Sequence, residues 1–89
     1  MQKEKTVYIR NEYGLHARPA AQLARKAADY NSEISLVMGD VKADARSVLE
    51  ILSLAAVQGK SITIRAEGPD VDSAIEMVEN FFSNSNGDY

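Results

Sequence analysis

Cysteine and tryptophan are absent from the 89 residues, and histidine occurs once. No disulfide can form without cysteine, and one histidine cannot build a typical metal site, so we expect neither a metal nor a cofactor. No apolar run approaches the roughly 18 residues that span a bilayer, so we expect no membrane contact. The charged first five residues lead directly into a strand pattern, which predicts a cytoplasmic protein without a signal peptide.

The chain also lacks a large excess of charge of either sign, because 10 basic and 13 acidic residues leave a net charge of −3. This balance argues against a nucleic-acid-binding protein. The length and the 45% hydrophobic content predict a single domain over residues 1–89. A domain of this size holds one two-layer core but no deep enclosed pocket, so it is poorly equipped to act on a small molecule alone. A stand-alone small hydrolase is the least favoured alternative.

Apolar periodicity and turn residues predict the order β-α-β-β-α-β-α. Proline is tolerated in the first turn of a helix, which places the first helix start near Ala17. Its predicted buried stripe contains Ala20, Leu23, Ala24, Ala27 and Ala28. The predicted strands cover residues 4–10, 34–38, 41–45 and 62–67. The first helix should end at residues 31–32, the second should end before Gly59, and the third should follow an N-cap at Asp70. Residues 83–89 should form a frayed tail.

Helices on one face of a mainly antiparallel sheet give an open-faced α+β sandwich. Right-handed crossovers place the first two strands parallel, with the fourth strand between them. We therefore predict a four-stranded sheet of order 1-4-2-3 with three helices on one face.

The single histidine stands just before the first predicted helix, in the run GLHARP at residues 14–19. A helix N-terminus has unpaired N–H groups and a partial positive charge, so it attracts anions. His16 can attack phosphorus as a neutral imidazole, and Arg18 can neutralise phosphoryl oxygens. Pro19 has no N–H, which leaves the backbone of Ala17 and Arg18 as donors. The alternative is a surface histidine beside a solvated cation.

A second feature is the helix that begins at Ser47, where the spacing of Ser47 and Glu50 matches a capping box. Each residue would then bind the other's backbone N–H. The first turns of this helix are apolar almost all round. If Ile51, Leu54 and Ala55 face the core, a further apolar group must lie at the surface: Val48, Leu49 and Leu52. Such a cluster indicates either a partner site or a surface covered by a neighbouring loop.

The run NEYGLHARPA at residues 11–20 resembles the active-site motif of the HPr family, the phosphocarriers of the bacterial phosphotransferase system. The resemblance extends over nearly the whole chain, including residues 47–49, the Gly59 turn and residues 66–68. It implies that His16 accepts a phosphoryl group on Nδ1 from enzyme I, which took it from phosphoenolpyruvate, and passes it to an enzyme II A-type domain. It also implies that Arg18 stabilises this group. The partner docking surface would comprise Leu15, Val48, Leu49 and Leu52 on a monomeric carrier.

Ser47 matches a position that an HPr kinase/phosphorylase phosphorylates in many family members. A phosphate there would gain from the helix N-terminus but would lose the capping box and be repelled by Glu50. Regulatory phosphorylation and simple N-capping therefore both stay open. Residues 44–49 and 66–69 look more like proteobacterial members, including the nitrogen-related NPr branch. The alternative function is then a regulatory binding module that controls partners rather than sugar uptake.

Overall fold

The chain, seen here in a computed structural model, is described over residues 1–83. The order of its elements is the predicted one. These elements are β1 (Gln2–Tyr8), α1 (Ala17–Ala27), β2 (Glu33–Met38), β3 (Val41–Asp44), α2 (Val48–Ser53), β4 (Ser61–Glu67) and α3 (Val71–Ser83). Ser83 is helical, and the rest of the predicted frayed tail lies outside the described residues.

The strands form one sheet in the order β1-β4-β2-β3, as predicted. Every neighbouring pair is antiparallel. Ala66 of β4 lies opposite Lys3 of β1 on one side and Ile34 of β2 on the other. Because β4 runs against both neighbours, β1 and β2 are parallel to each other without touching, which confirms the predicted open-faced α+β sandwich.

The core lies between the sheet and the three helices. Alternate residues of the strands point inward, as Ile62 and Ile64 do, and they meet buried helix residues such as Leu23 and Phe82. α3 packs on β1 and β4, and α1 packs on α2 and α3. Small alanine side chains on the buried face of α1 bring this helix close to its neighbours.

The first strand and the first helix both differ from their predicted bounds. β1 begins at Gln2 because residues 2 and 3 pair with Glu67 and Ala66 of β4, and it ends at Tyr8, two residues before the predicted end. Lys3 and Lys5 also form ion pairs with α3. α1 ends at Ala27, and Ala28 is exposed rather than part of the buried stripe. The reason is a tightened last turn, in which the N–H of Tyr30 donates to the carbonyl of Ala27, three residues back (3.2 Å).

Asp70 precedes α3 as predicted, but its carboxylate does not cap that helix. Its Oδ2 accepts from the N–H of Asn31 (2.9 Å), and its Oδ1 accepts from the N–H (2.8 Å) and the hydroxyl (2.5 Å) of Ser32. These bonds hold the pKa of Asp70 below its ordinary value of 3.8, the Ser32 hydroxyl contributing most. The carboxylate therefore joins the α1–β2 connection to the start of α3.

Candidate functional site

The loop before α1 is held against the segment that follows α2. The N–H of Leu15 donates to the carbonyl of Ala56 (2.9 Å), and the N–H of Gly14 donates to the carbonyl of Asn11 (2.9 Å). Gly14 has φ of +71°, and a Cβ there would lie 2.4 Å from the Ala56 oxygen. Glycine is therefore required twice, for its backbone angle and for the close approach.

His16 is the N-cap residue of α1 and its side chain is exposed. Its backbone is extended, and its carbonyl accepts from the N–H of Ala20 (2.9 Å). The N–H groups of Ala17 and Arg18 precede that first helical bond, so neither has a carbonyl partner within the helix. Pro19 contributes no donor. The structure therefore brings an imidazole and two backbone donors together at the N-terminus of α1.

Arg18 lies in the first turn of α1 with an exposed side chain. Within residues 1–83 it forms no ion pair, whereas Arg46 pairs with Asp44 and Arg65 with Glu4. The first turn of α1 also contains no acidic residue. The Arg18 side chain, which follows His16 by two residues at the start of α1, therefore has no ion-pair partner among residues 1–83, which suits the binding of an anion.

Tyr13 is a site residue that the sequence reasoning missed. Its ring lies against the His16 ring with centroids 6.1 Å apart and planes at 88°. The available signal was an aromatic residue three positions before the only histidine, but the intervening loop conformation could not be read from spacing. The contact depends on the turn made by residues 11–14.

Leu15 does not belong to the exposed apolar surface for which it was predicted. It is 4% exposed and packs in the core cluster, since its N–H is drawn to the Ala56 carbonyl. A docking role of Leu15 stays a prediction, and in the free chain its side chain is not presented to a partner. In the free protein the Leu15 side chain packs in the core under the loop that carries His16.

Ser47 caps α2 as predicted, but the capping box is only half formed. The N–H of Glu50 donates to Ser47 Oγ (3.2 Å). The N–H of Ser47 donates to the carbonyl of Asp44 (3.0 Å), and Glu50 Oε1 accepts from the N–H of Asp44 (3.0 Å) instead. Because the turn before α2 already pairs the Ser47 N–H, the carboxylate reaches farther back along the chain.

The structure contains the predicted apolar surface on α2. We call its residues, Val48, Leu49 and Leu52, the α2 patch. Leu49 is 81% exposed, so no loop within residues 1–83 covers it. Val48 and Leu52 are half-buried and pack against the core. The core side of the helix carries Ile51 and Leu54, as predicted.

Ala55 differs from the prediction that it faces the core. It is exposed with φ of +50°, and Ala56 is buried in its place. The left-handed turn after α2 changes which residue points inward. It also directs the Ala56 carbonyl to the loop that carries His16.

None of the helices formed by residues 1–83 combines the length and the hydropathy that crossing a bilayer requires. Fold and site together define a small α+β sandwich that exposes one histidine at the N-terminus of a helix, beside an arginine and an apolar patch.

Known proteins share this combination. The family described as "PTS HPr component phosphorylation site" matches residues 3–84. Phosphocarrier protein NPr of Shewanella violacea is 44% identical over 75 residues, which are 84% of this chain and 82% of that protein. Phosphocarrier protein HPr of Treponema pallidum is 36% identical over 80 residues, or 90% of this chain and 91% of that protein. The crystal structure of HPr-C-His from Thermoanaerobacter tengcongensis has a TM-score of 0.90 at 36% identity and covers 98% of both chains. The chain belongs to the HPr family of phosphocarrier proteins.

Proposed function

We propose that this chain carries a phosphoryl group on His16 within the phosphotransferase system. The observation that supports it most is the exposed imidazole at the N-terminus of α1, beside two backbone donors without helical partners. The Arg18 guanidinium in the same turn forms no ion pair with any residue that the structure describes. In the proposed cycle enzyme I, charged by phosphoenolpyruvate, is the donor and an enzyme II A-type domain is the acceptor. The carrier acts as a cytoplasmic monomer of one domain, residues 1–89.

The chemistry needs little from the carrier besides position and positive charge. The lone pair of the unprotonated Nδ1 of His16 forms the bond to phosphorus. The bond between phosphorus and the donor breaks, and its electron pair stays on the donor. No proton has to leave the imidazole before attack. The N–H groups of Ala17 and Arg18 and the Arg18 guanidinium then bind the phosphoryl oxygens.

The α2 patch is the proposed docking surface for both partners. An exposed leucine of this kind is costly to leave in water and gains when a partner covers it. The patch is connected to the site, because α1 packs on α2 and the Ala56 carbonyl binds the N–H of Leu15. A partner seated on α2 is therefore placed beside His16.

The test is incubation of the chain with enzyme I and phosphoenolpyruvate, followed by mass spectrometry. The expected product carries one acid-labile phosphoryl group, and His16→Ala should remain unlabelled while keeping its fold. Arg18→Ala should slow transfer by about a hundredfold, the lower end of the usual cost of removing one donor to transition-state charge, because the Arg18 side chain is exposed to water. Arg25→Ala is the matched control, since Arg25 is exposed in the last turn of the same helix. Equal rates for the two arginine variants would contradict the role of Arg18.

The branch of the system is tested by the choice of acceptor. The NPr of Shewanella violacea favours the nitrogen-related branch, in which the chain would regulate partners rather than feed sugar uptake. HPr proteins of Vibrio cholerae and Haemophilus influenzae, at 40% and 42% identity, favour the sugar branch to a similar degree. Phosphoryl transfer from the labelled chain to sugar-type and nitrogen-type A domains, measured side by side, decides between them.

Ser47 is the proposed regulatory site for an HPr kinase/phosphorylase. It begins α2 directly beside the α2 patch, so a phosphate there would place about two negative charges next to Leu49. Labelling with ATP and the kinase should be lost in Ser47→Ala and kept in Ser53→Ala, an exposed serine of the same helix. No label on the unmodified chain would leave Ser47 as an N-cap alone.

A further inference from the structure

Among residues 1–83 the imidazole of His16 has one close aromatic neighbour, the ring of Tyr13. The ring centroids are 6.1 Å apart and the planes stand at 88°, which is the edge-to-face arrangement that aromatic pairs favour. Among residues 1–83 no hydrogen bond or ion pair holds the imidazole, and His16 makes no side-chain cap to its own helix. The orientation of the ring therefore depends on packing rather than on a polar partner.

The backbone of Tyr13 is fixed by a turn. Its N–H donates to Oδ1 of Asn11 (2.8 Å), and the N–H of Gly14 donates to the Asn11 carbonyl (2.9 Å). Asn11 is itself buried. Tyr13 as a whole is nevertheless 76% exposed, so packing in the core does not account for the position of its side chain. The turn holds the backbone of Tyr13 where its ring contacts the ring of His16.

We infer that Tyr13 is a positioning residue for His16, whose ring restricts rotation of the imidazole before phosphoryl transfer. This inference rests on the proposed function of His16 as the phosphoryl acceptor. A side chain without a partner distributes over three staggered χ1 states, and attack on phosphorus requires an aligned nitrogen. An aromatic pair of this geometry favours one arrangement by a factor of about two to ten.

The ring acts here, and the hydroxyl is not required. Tyr13→Phe should therefore behave like the unmodified chain, whereas Tyr13→Ala should lose the effect. Both variants should fold, because the side chain is exposed and the turn is made by backbone atoms and Asn11. Tyr8→Ala is the matched control, since Tyr8 is an exposed tyrosine on β1, 60% accessible.

The first measurement needs no phosphorylation. Proton NMR of the unmodified chain should show His16 imidazole resonances shifted by the neighbouring ring, with χ1 couplings dominated by one state. Tyr13→Ala should remove that shift and average the couplings, and Tyr13→Phe should retain both. Unchanged His16 resonances in Tyr13→Ala would overturn the inference.

The second measurement is steady-state transfer from phosphorylated enzyme I. Tyr13→Ala should lower kcat about two- to tenfold at an unchanged KM for the carrier, while Tyr13→Phe and Tyr8→Ala stay within about twofold of the unmodified chain. A change confined to KM would show that Tyr13 contacts the partner, and an equal loss in Tyr13→Phe would show that the hydroxyl acts; either result overturns the inference. An unmodified chain that takes no label at His16 would overturn the proposed function as well, so the two failures are distinguishable.

Discussion

Replacement of Gly14 by alanine tests whether the His16 loop is built on a close backbone approach. Gly14 has φ of +71°, and the new Cβ would lie 2.4 Å from the Ala56 oxygen, so one backbone segment must move. Gly39 has φ of +61° with no atom within 4 Å of a Cβ. Alanine at Gly39 therefore meets the left-handed backbone cost of about 1–2 kcal/mol alone.

Alanine at Gly14 meets that cost and also displaces the Ala56 carbonyl, which accepts from the N–H of Leu15 (2.9 Å). A hydrogen bond lost from a buried segment costs about 1–3 kcal/mol more. Gly14→Ala should thus be less stable than Gly39→Ala by about 2 kcal/mol. For a domain of this size the difference corresponds to a Tm about 10 °C lower.

The assay is thermal unfolding of both variants by circular dichroism at one pH, with phosphoryl transfer from enzyme I as the second readout. Gly14→Ala should also transfer more slowly, because the displaced segment leads directly into His16, while Gly39→Ala should transfer normally. Equal Tm values for the two variants would refute the reasoning, since they would mean that the approach of Gly14 to Ala56 carries no energetic weight.

Other predictions concern the α2 patch, the turn after α2 and the Asp70 anchor. Leu49→Asp should weaken binding to both partners at least tenfold in calorimetry but change Tm little, because Leu49 is 81% exposed. Ala55→Gly should raise stability by about 1 kcal/mol in urea titration by relieving φ of +50°, whereas Ala28→Gly, where φ is −65°, should lower it. Because the bonds to Asp70 lower its pKa, they stabilise the folded state at pH values above the ordinary pKa of 3.8, and this stabilisation is lost as the pH falls through the folded-state pKa. In a plot of unfolding free energy against pH, Asp70→Asn should therefore lose less stability in the acidic range. An unchanged loss of stability would contradict the bonds to Ser32.

Much of the fold followed from local pattern. Alternation placed β2 and β4, Pro19 placed the start of α1, and crossover handedness placed β4 between β1 and β2. The errors lie where long-range partners act. Residues 2–3 lie before the predicted first strand but pair in β1. The Asp70 carboxylate binds Ser32 instead of capping α3.

The site divides in the same way. The placement of His16 and Arg18 at the start of α1, the N-cap role of Ser47 and the exposure of Leu49 could be predicted, because each depends on residue type and on distance from a helix end. The Tyr13 contact could not be predicted, because it depends on the turn made by residues 11–14. The burial of Leu15 could not be predicted either, because its N–H is bound by a carbonyl some forty positions later.

The sequence by itself therefore determined the chemical groups of this protein and their order, since propensity, capping and periodicity act over a few residues. Tertiary structure alone decided how those groups are held. The left-handed turn at Ala55 directs the Ala56 carbonyl toward the loop before α1. This carbonyl accepts from the N–H of Leu15 and lies so close to Gly14 that a Cβ there would clash with it. Such a contact joins residues distant in sequence, and its energy exists only after the chain has brought them together.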